Sequence, residues 1–345
     1  MPAHHLTAIT PRQIANAVIA VLAGADLSRT AATFGLDPAD LADAQDAYHT
    51  AGMAALERRP DHQWHHVRVQ FPDWGRAETT AATQLGPRLV KLAAEHAIAG
   101  WWFLRKYPYW RLRLDEADTA AVAIALDELV TDGALTRWWP GIYEPEIAAF
   151  GGPVGMTIAH KLFHADSHSV LTYLKRDEPG IGRRELSLLL LNALQHAAGL
   201  DWFERGDTYD RIAQLRTTPA ATDSKRITQL AASMRPLLAA PADAAVPLIS
   251  ADGLANLTQP WLAAFTTAGT QLREADTTGQ LHRGLRAVLA HITIFHWNRL
   301  GLSATTQAIL AHAARTAFLP GHNHLAARAD QRPPATTDAA NTAKA

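Results

Sequence analysis

The chain has 345 residues, of which 48% are hydrophobic and 19% are charged, and its formal net charge is −1. This composition excludes a wholly disordered chain, and the balanced charge gives no global attraction for nucleic acid or an anionic membrane. The sequence has no cysteine, which excludes disulfides, thiol nucleophiles and cysteine-based metal sites. It shows neither a signal peptide nor an apolar stretch of membrane-spanning length. We therefore expect a soluble, cytoplasmic protein of about two domains.

Residues 1–60 are predicted to form a helical module. Apolar residues recur at helical spacing over 11–22, and the spacing from Ala31 to Gly35 is typical of a helix-turn-helix. The next helix, over 39–51, carries three aspartates and no lysine or arginine. Because acidic side chains repel phosphate, this favours a compact helical module over a DNA-binding one.

Residues 61–150 have the pattern of an α+β sheet region. The predicted strands span 64–71, 100–105, 109–114 and 135–139, and the predicted helices span 72–96 and 115–131. The order βαββαβ indicates a ferredoxin-like antiparallel sheet with helices on one face.

Residues 151–320 are predicted to be mainly helical. The predicted helices span 154–174, 183–198, 222–238, 258–276, 281–300 and 304–317. Within the first of these we expect a helix interruption or cap at 163–167. The last 25 residues, 321–345, are predicted to be a flexible tail.

Two arginines on the third predicted strand are candidate ligand-binding residues. Arg111 and Arg113 point to the same face, about 7 Å apart, and two guanidinium groups so placed can hold a carboxylate. Arg105 lies on the preceding strand and is expected to reach the same neighbourhood. The alternative is a solvated strand face whose arginines pair with surface acids.

The segment after the last predicted strand, from Tyr143 to Gly152, contains two glutamates, a proline and a glycine pair. Glu146 is a candidate acid/base group if it lies partly buried beside an arginine. An ion pair that orders the loop is the alternative.

Histidines in the helical half offer two further interpretations. His160, His164 and His168 recur at a four-residue spacing that can bind a metal, but no acidic ligand is in register, which favours a structural role. His296 is the most suitable general acid or base, with an unperturbed pKa of about 6.5, and it shares a helix face with Arg299. Favourable placement of basic groups at a helix C-terminus is the alternative.

Several motifs, taken in order, resemble the C-terminal elimination domain of class I lantibiotic dehydratases, in its stand-alone thiopeptide-type bacteriocin biosynthesis form. The motifs are Trp64–Val69, Trp101–Arg105, Trp110–Leu114, Tyr143–Glu146, Phe150–Gly152, Phe163 with Asp166–Ser167, Arg184–Ser187 and Asn298–Gly301. The resemblance covers about residues 62–318, so 61–320 is expected to be one such domain, with 1–60 lying outside its core.

The resemblance implies maturation of a ribosomally synthesised and post-translationally modified peptide (RiPP). The first reaction it implies is a lyase step, the elimination of glutamate from O-glutamylated Ser or Thr to give dehydroamino acids. It implies catalytic roles for His296, Arg111, Arg113 and Glu146, and substrate binding by Arg105, Arg299 and Tyr143. No cofactor and no metal are expected.

The implied partners are a precursor peptide with its leader and a separate glutamylating dehydratase subunit. No membrane or nucleic-acid partner is expected, and a homodimer is left open. Two alternatives remain, a thiopeptide pyridine synthase that performs a formal aza-[4+2] cycloaddition of dehydroalanines with leader release, and a non-catalytic leader-binding subunit. The sequence departs from the usual dehydratase pattern at Ala149 and Ile294, where arginine and histidine are typical.

Overall fold

A computed structural model of the chain describes residues 10–58, 64–176, 180–216, 224–240 and 255–320. The chain divides into two compact units, Met1–His62 and Gln63–Ala345. None of the helices in the ranges just given is long and apolar enough to cross a membrane. The tail predicted at 321–345 lies outside the described residues.

The described part of the first unit, residues 10–58, forms three helices, as expected for a helical module. They are α1 (Pro11–Leu22), α2 (Leu27–Phe34) and α3 (Pro38–Arg58). Thr10 and Gln13 form a capping box at the start of α1, and Gly35, with φ 68°, ends α2 in the left-handed conformation that glycine tolerates best. The small core of this unit contains Ala17, Val18, Ala31 and Leu41.

The second unit begins with the predicted βαββαβ order. The strands are β1 (His65–Gln70), β2 (Gly100–Lys106), β3 (Tyr109–Asp115) and β4 (Arg137–Gly141). Between β1 and β2 the chain is helical from Trp74 to Ala94, with α4 (Ala77–Thr80) and α5 (Gly86–Ala94) separated by a π-helical turn, and α6 (Thr119–Thr131) precedes β4. The four strands form an antiparallel sheet in the order β2-β3-β1-β4, which confirms the α+β fold class.

Side-chain alternation gives the sheet one apolar and one cationic face. On the apolar face, Val67 of β1 pairs with Leu112 of β3, and both are fully buried in one core with Leu89 of α5 and Leu126 of α6. The opposite face carries the side chains of the alternate residues of each strand, such as His66 and Arg68 of β1. The apolar face thus anchors the sheet, and the other face is left for polar groups.

The free edge of β2 is covered by side chains from the helical half. The bonds run from Trp101 N–H to His164 Nδ1 (3.0 Å), from Phe103 N–H to Ser167 Oγ (3.2 Å) and from Arg105 N–H to Asn298 Oδ1 (2.8 Å). Asn298 Nδ2 also donates to the Arg105 carbonyl (2.8 Å). These side chains take the place of a fifth strand, since a buried edge needs partners for its backbone groups.

Beyond the sheet region, the described segments of the second unit are mainly helical, as predicted. The helices are α7 (Pro153–Leu174), α8 (Arg183–Ala197), α9 (Trp202–Leu215), α10 (Ser224–Ala239), α11 (Ala255–Thr277), α12 (Leu285–Arg299) and α13 (Ala304–Phe318). The prediction missed α9, although its start has a local signal. Asp201 and Glu204 form a capping box there.

The interruption expected at 163–167 is wrong, because α7 is one continuous helix of 22 residues. Asp166 and Ser167, whose polar side chains suggested a cap, form tertiary hydrogen bonds instead. Ser167 binds the β2 backbone, and Asp166 binds side chains from α11 and α12. Polar residues in a helix interior are tolerated when their side chains find partners elsewhere in the fold.

Candidate functional site

The cationic face of the sheet is formed by His66 and Arg68 of β1 together with Arg111 and Arg113 of β3. Cross-strand pairing sets His66 opposite Arg113 and Arg68 opposite Arg111. His66 and Arg113 are buried, whereas Arg68 and Arg111 are half-buried. Like charges on directly opposed strands repel one another, so this arrangement favours binding of an anion.

Arg113 is enclosed by aromatic rings. Its guanidinium carbon lies 4.6 Å from the ring centre of Trp102 and 5.1 Å from that of Tyr143. Burial, offset in part by Tyr143 and Glu146, lowers the pKa of Arg113 to about 10, so the group stays charged at neutral pH. A desolvated guanidinium of this kind interacts more strongly with a carboxylate than one in water does.

His66 has a buried imidazole whose two nitrogens have no hydrogen-bond partner among the residues that the structure describes. Burial first, and then the charges of Arg113, Arg68 and Arg111, lower its pKa to about 3. Gly141 of β4 lies opposite His66, and a Cβ there would come within 3.0 Å of Arg68 Nη1. The absence of a side chain at Gly141 therefore leaves room for Arg68 and His66. The lowered pKa makes His66 a neutral group beside three arginines.

The loop after β4 borders the cationic face. The Tyr143 hydroxyl lies 2.8 Å from His160 Nε2, and burial together with the charge of Glu146 raises the pKa of Tyr143, against the opposing effect of Arg113. Glu146 is exposed and acts electrostatically on both Arg113 and Tyr143. The structure thus brings four sequence-predicted site residues together, namely Arg111, Arg113, Tyr143 and Glu146.

His296 and Arg299 lie elsewhere, in a fully buried network centred on Asp166. Asp166 accepts hydrogen bonds from Arg299 Nε (2.6 Å), Trp261 Nε1 (2.8 Å) and His296 Nδ1 (2.9 Å). Burial by itself raises the pKa of Asp166, but the charges and hydrogen bonds of His296 and Arg299 outweigh it and lower that pKa. Asp166, His296 and Arg299 are each 0% exposed.

The second nitrogen of His296 is also engaged. His296 Nε2 lies 3.1 Å from Ser187 Oγ, which accepts the indole N–H of Trp297 at 2.9 Å. Ser187 therefore joins this network as a partner of both His296 and Trp297. Serine, histidine and aspartate here have the hydrogen-bond order of a hydrolytic triad, but Ser187 is 0% exposed, so a substrate does not reach its hydroxyl in this conformation.

Arg105 differs from its expected position. In the β2–β3 hairpin it pairs with Trp110, whereas Leu104 pairs with Arg111. Arg105 therefore points to the face opposite Arg111 and Arg113, where it forms an ion pair with Glu78 of α4. Arg183 donates to the same carboxylate, and the charges and bonds of these arginines lower the pKa of Glu78 against the raising effect of burial.

Different groups lie near the two positions that depart from the dehydratase pattern. The carbonyl of Ala149 accepts a hydrogen bond from Arg283 Nη1 (3.2 Å). His291 lies one turn before Ile294 on α12 and is half-buried. Burial is the main cause that lowers the pKa of His291. Glu146 acts on His291 as well as on Arg113, so this loop carboxylate is within electrostatic reach of both basic groups.

Sequence reasoning missed several residues at this site. His66, Arg68 and His160 adjoin the predicted residues, and alternation along β1 would have placed the first two on one face. Within the described ranges, no three histidine, aspartate or glutamate side chains are close enough to hold a metal ion.

The sequence profile of a family described as "Lantibiotic biosynthesis dehydratase C-term" matches residues 64–318. The chain belongs to this family. The match covers most of the second unit, including the cationic face, and it confirms the family resemblance seen in the motifs. No curated protein matches the sequence.

Three solved structures are similar to this chain. The tRNA-dependent lantibiotic dehydratase MibB from Microbispora sp. 107891 matches with TM-score 0.56 and 18% identity, over 73% of this chain and 27% of that one. TsrL matches with TM-score 0.54 and 16% identity, over 74% of this chain and 94% of that one. TbtD, a pyridine synthase from thiomuracin biosynthesis, matches with TM-score 0.49 and 16% identity, over 74% of this chain and 97% of that one. The chain spans about a quarter of the length of MibB, and the likeness to MibB and TsrL establishes a shared fold.

Proposed function

We propose that this family member acts in the maturation of a ribosomally synthesised peptide, and that it eliminates glutamate from O-glutamylated Ser or Thr beside a separate glutamylating partner. The cationic face carries this proposal. It offers buried and half-buried guanidinium groups next to a loop carboxylate, which is the arrangement that an anionic leaving group needs. Family membership supports the peptide-maturation role.

The proposed reaction is a β-elimination. A base removes the Cα proton of the esterified residue, the Cα–Cβ double bond forms, and the Cβ–O bond breaks. The electron pair of that bond leaves with the glutamate carboxylate. Arg111 and Arg113 hold this carboxylate and the free carboxylate of the glutamyl group, and they stabilise the negative charge as it develops.

Glu146 is the proton acceptor in this proposal. It is an exposed acid in the loop that borders the cationic face, and its carboxylate acts on both Arg113 and Tyr143. Tyr143, which stacks on Arg113, orients that guanidinium. His296 and Arg299 have structural roles here, because both are fully buried and bind Asp166.

Mass spectrometry of an O-glutamylated precursor peptide tests the proposal. We expect the purified protein to release glutamate and leave a dehydroamino acid, and we expect Arg113→Gln and Glu146→Gln each to reduce the rate by about a hundredfold or more. The matched control is Arg88→Gln on α5, a partly exposed arginine paired with Glu128, which should leave the rate unchanged.

Two other outcomes would contradict the elimination proposal. Loss of water and leader from a peptide that carries two dehydroalanines, with formation of an aromatic ring, would assign the chain to pyridine synthesis. Leader binding that persists in Arg113→Gln and Glu146→Gln, with no turnover of either substrate, would assign it to a binding subunit.

A further inference from the structure

The cationic face of the sheet continues beyond the buried pair of Arg113 and His66. Strand register and side-chain alternation place two further rows of side chains on this face. We call these eight positions the outer face. The first row consists of Leu104, Arg111, Arg68 and Trp139, and the second row consists of Lys106, Tyr109, Gln70 and Arg137. Each of these residues is half-buried or exposed, and Lys106 and Arg137 are exposed, so the outer face is open to solvent.

Side-chain contacts show that the strands form one surface here. The rings of Tyr109 of β3 and Trp139 of β4 meet edge to face with centres 4.7 Å apart, across the intervening strand β1. Arg137 Nε of β4 donates to Gln70 Oε1 of β1 (2.9 Å). The outer face is therefore continuous over β3, β1 and β4.

Arg137 is an ordered guanidinium on an exposed residue. Its bond to Gln70 holds one edge of the group, and its guanidinium carbon lies 4.9 Å from the centre of the Trp139 ring. Its Nη1 and Nη2 form no hydrogen bond with any described residue. Because this side chain is already ordered, it loses less conformational entropy on binding an anion than a free arginine would.

The cations of the outer face lack carboxylate partners. The chain has 33 acidic residues, and arginines elsewhere pair with them, as Arg88 does with Glu128. None of the eight outer-face positions, all of them described, holds an acid. No ion pair within the described ranges involves the cations of this face, which are Arg68, Lys106, Arg111 and Arg137. In a chain of net charge −1, this surface is complementary to an anionic partner.

The aromatic side chains favour a peptide over a single-stranded nucleic acid. The rings of Tyr109 and Trp139 are nearly perpendicular, at 85°, and Arg137 lies over Trp139. Nucleic-acid bases stack on open aromatic faces, and this arrangement offers no pair of parallel rings to them. The same rings can pack against the apolar atoms of a peptide.

The spacing of the rows matches an extended peptide. The second row lies about 7 Å beyond Arg111 and about 13 Å beyond Arg113, at about 3.3 Å per strand residue. An extended peptide has the same rise, and its side chains two residues apart point the same way. A peptide whose modified residue lies at Arg113 therefore reaches the second row within about four residues.

We propose that the outer face binds acidic residues of the substrate peptide, two to four positions from the Ser or Thr that is modified. Their carboxylates lie on the cations that the elimination step leaves unused, Arg68, Lys106 and Arg137. The proposal rests on the peptide-maturation role, which identifies the partner as a peptide. It adds the kind of peptide that the chain selects.

Fluorescence anisotropy of the full chain with labelled peptides tests this surface. The first probe is Gly-Ser-Gly-Glu-Gly-Glu-Gly, amidated and labelled at its N-terminus, and the second is the reversed sequence, Gly-Glu-Gly-Glu-Gly-Ser-Gly. Each has a control with Gln in place of both Glu. We expect at least one acidic peptide to bind about tenfold more tightly than its control, because its carboxylates form charge-assisted hydrogen bonds. Its affinity should fall as the salt concentration rises from about 0.01 to 0.1 M.

Paired variants locate the binding. Arg137→Gln should weaken binding of the acidic peptide about fivefold, and Arg137→Lys, which keeps the charge, should retain most of the affinity. The double variant Lys106→Gln with Arg137→Gln should lose most of the preference for Glu over Gln. The matched control is Lys91→Gln on α5, an equal loss of charge at a side chain that is 63% exposed, which should leave the affinity unchanged. Thermal unfolding verifies that each variant is folded.

Three results would overturn the proposal. One is equal affinity for the Glu and Gln peptides, including no binding of either. Another is a preference for Glu that the folded double variant retains in full. The third is a labelled uridine octamer that binds the wild type more tightly than the acidic peptides and is lost in the double variant, since the outer face would then bind nucleic acid.

These outcomes are separable from those of the elimination reaction. The probes carry no glutamyl ester, so a preference for Glu can be measured even if an O-glutamylated precursor releases no glutamate. That combination would contradict the elimination and retain the outer face as a peptide-binding surface. Glutamate release together with equal affinity for the Glu and Gln peptides would contradict this proposal alone.

Discussion

His66 lies directly opposite Arg113 across the β1–β3 ladder, and neither nitrogen of its imidazole has a hydrogen-bond partner among the described residues. Two nearby arginines, Arg68 and Arg111, add further positive charge. Burial and this charge keep the imidazole neutral, and a ligand that brings negative charge would raise the pKa of His66.

The first prediction concerns the pKa of His66. Arg113→Gln removes a positive charge from beside the ring, so the pKa of His66 should rise above its value of about 3. Imidazole nitrogen NMR over a pH titration measures this, with His66→Asn used to assign the signal. Arg88→Gln, far from the sheet face on α5, should leave the titration unchanged. An unchanged His66 pKa in Arg113→Gln would show that the two residues are not coupled.

The second prediction concerns the buried aspartate. Asp166→Asn leaves the fully buried Arg299 without its counter-charge, so we expect the free energy of unfolding at pH 7 to fall by about 3–5 kcal/mol. Urea denaturation measures it. Asp207→Asn is the matched control, because Asp207 is 33% exposed and pairs with Arg211 and Arg286, and such pairs contribute about 1 kcal/mol or less.

The stability lost in Asp166→Asn should also depend on pH. The pKa of Asp166 is lowered in the folded protein, so its contribution to stability is complete above its unfolded pKa of about 3.9. That contribution is lost as the pH falls through the lower folded value. The stability difference between wild type and Asp166→Asn should therefore narrow below about pH 4. A difference that stays constant as the pH falls would contradict this.

The third prediction tests the covered edge of β2. Asn298→Leu leaves the N–H and the carbonyl of Arg105 without partners, and we expect a loss of about 2–4 kcal/mol. Ser167→Ala removes one acceptor, that of Phe103 N–H, and should cost about half as much. Faster hydrogen exchange at the Arg105 amide in Asn298→Leu, with Ser167→Ala affecting Phe103 instead, is the expected site-specific result.

The fourth prediction separates steric contact from backbone strain. Gly301 and Gly133 have similar positive φ angles, 79° and 73°, so alanine strains both by about 1 kcal/mol. A Cβ at Gly301 would also overlap the Arg105 guanidinium, whereas at Gly133 nothing described lies within 4 Å. Gly301→Ala should therefore be clearly more destabilising than Gly133→Ala in thermal unfolding. Equal losses would mean that Arg105 and Glu78 move aside freely.

Local patterns in the sequence determined most of the secondary structure and one part of the site. Alternation along β3 placed Arg111 and Arg113 on one face and Leu112 on the other, because successive side chains of a strand point to opposite sides. Helical periodicity located most of the helices. These are properties of neighbouring residues, which the order of the sequence contains directly.

Tertiary structure alone decided the partners of the remaining residues. The side chain of Arg105 lies on the other face of the sheet from those of Arg111 and Arg113, because the strand register pairs Arg105 with Trp110 and not with Arg111. His296 lies 130 positions from Asp166 in sequence, and their hydrogen bond makes it part of the buried core. The local sequence around each of these residues fits an active-site role and a structural role equally well. Burial and long-range partners distinguish the two roles, since they depend on how distant segments pack and not on local spacing.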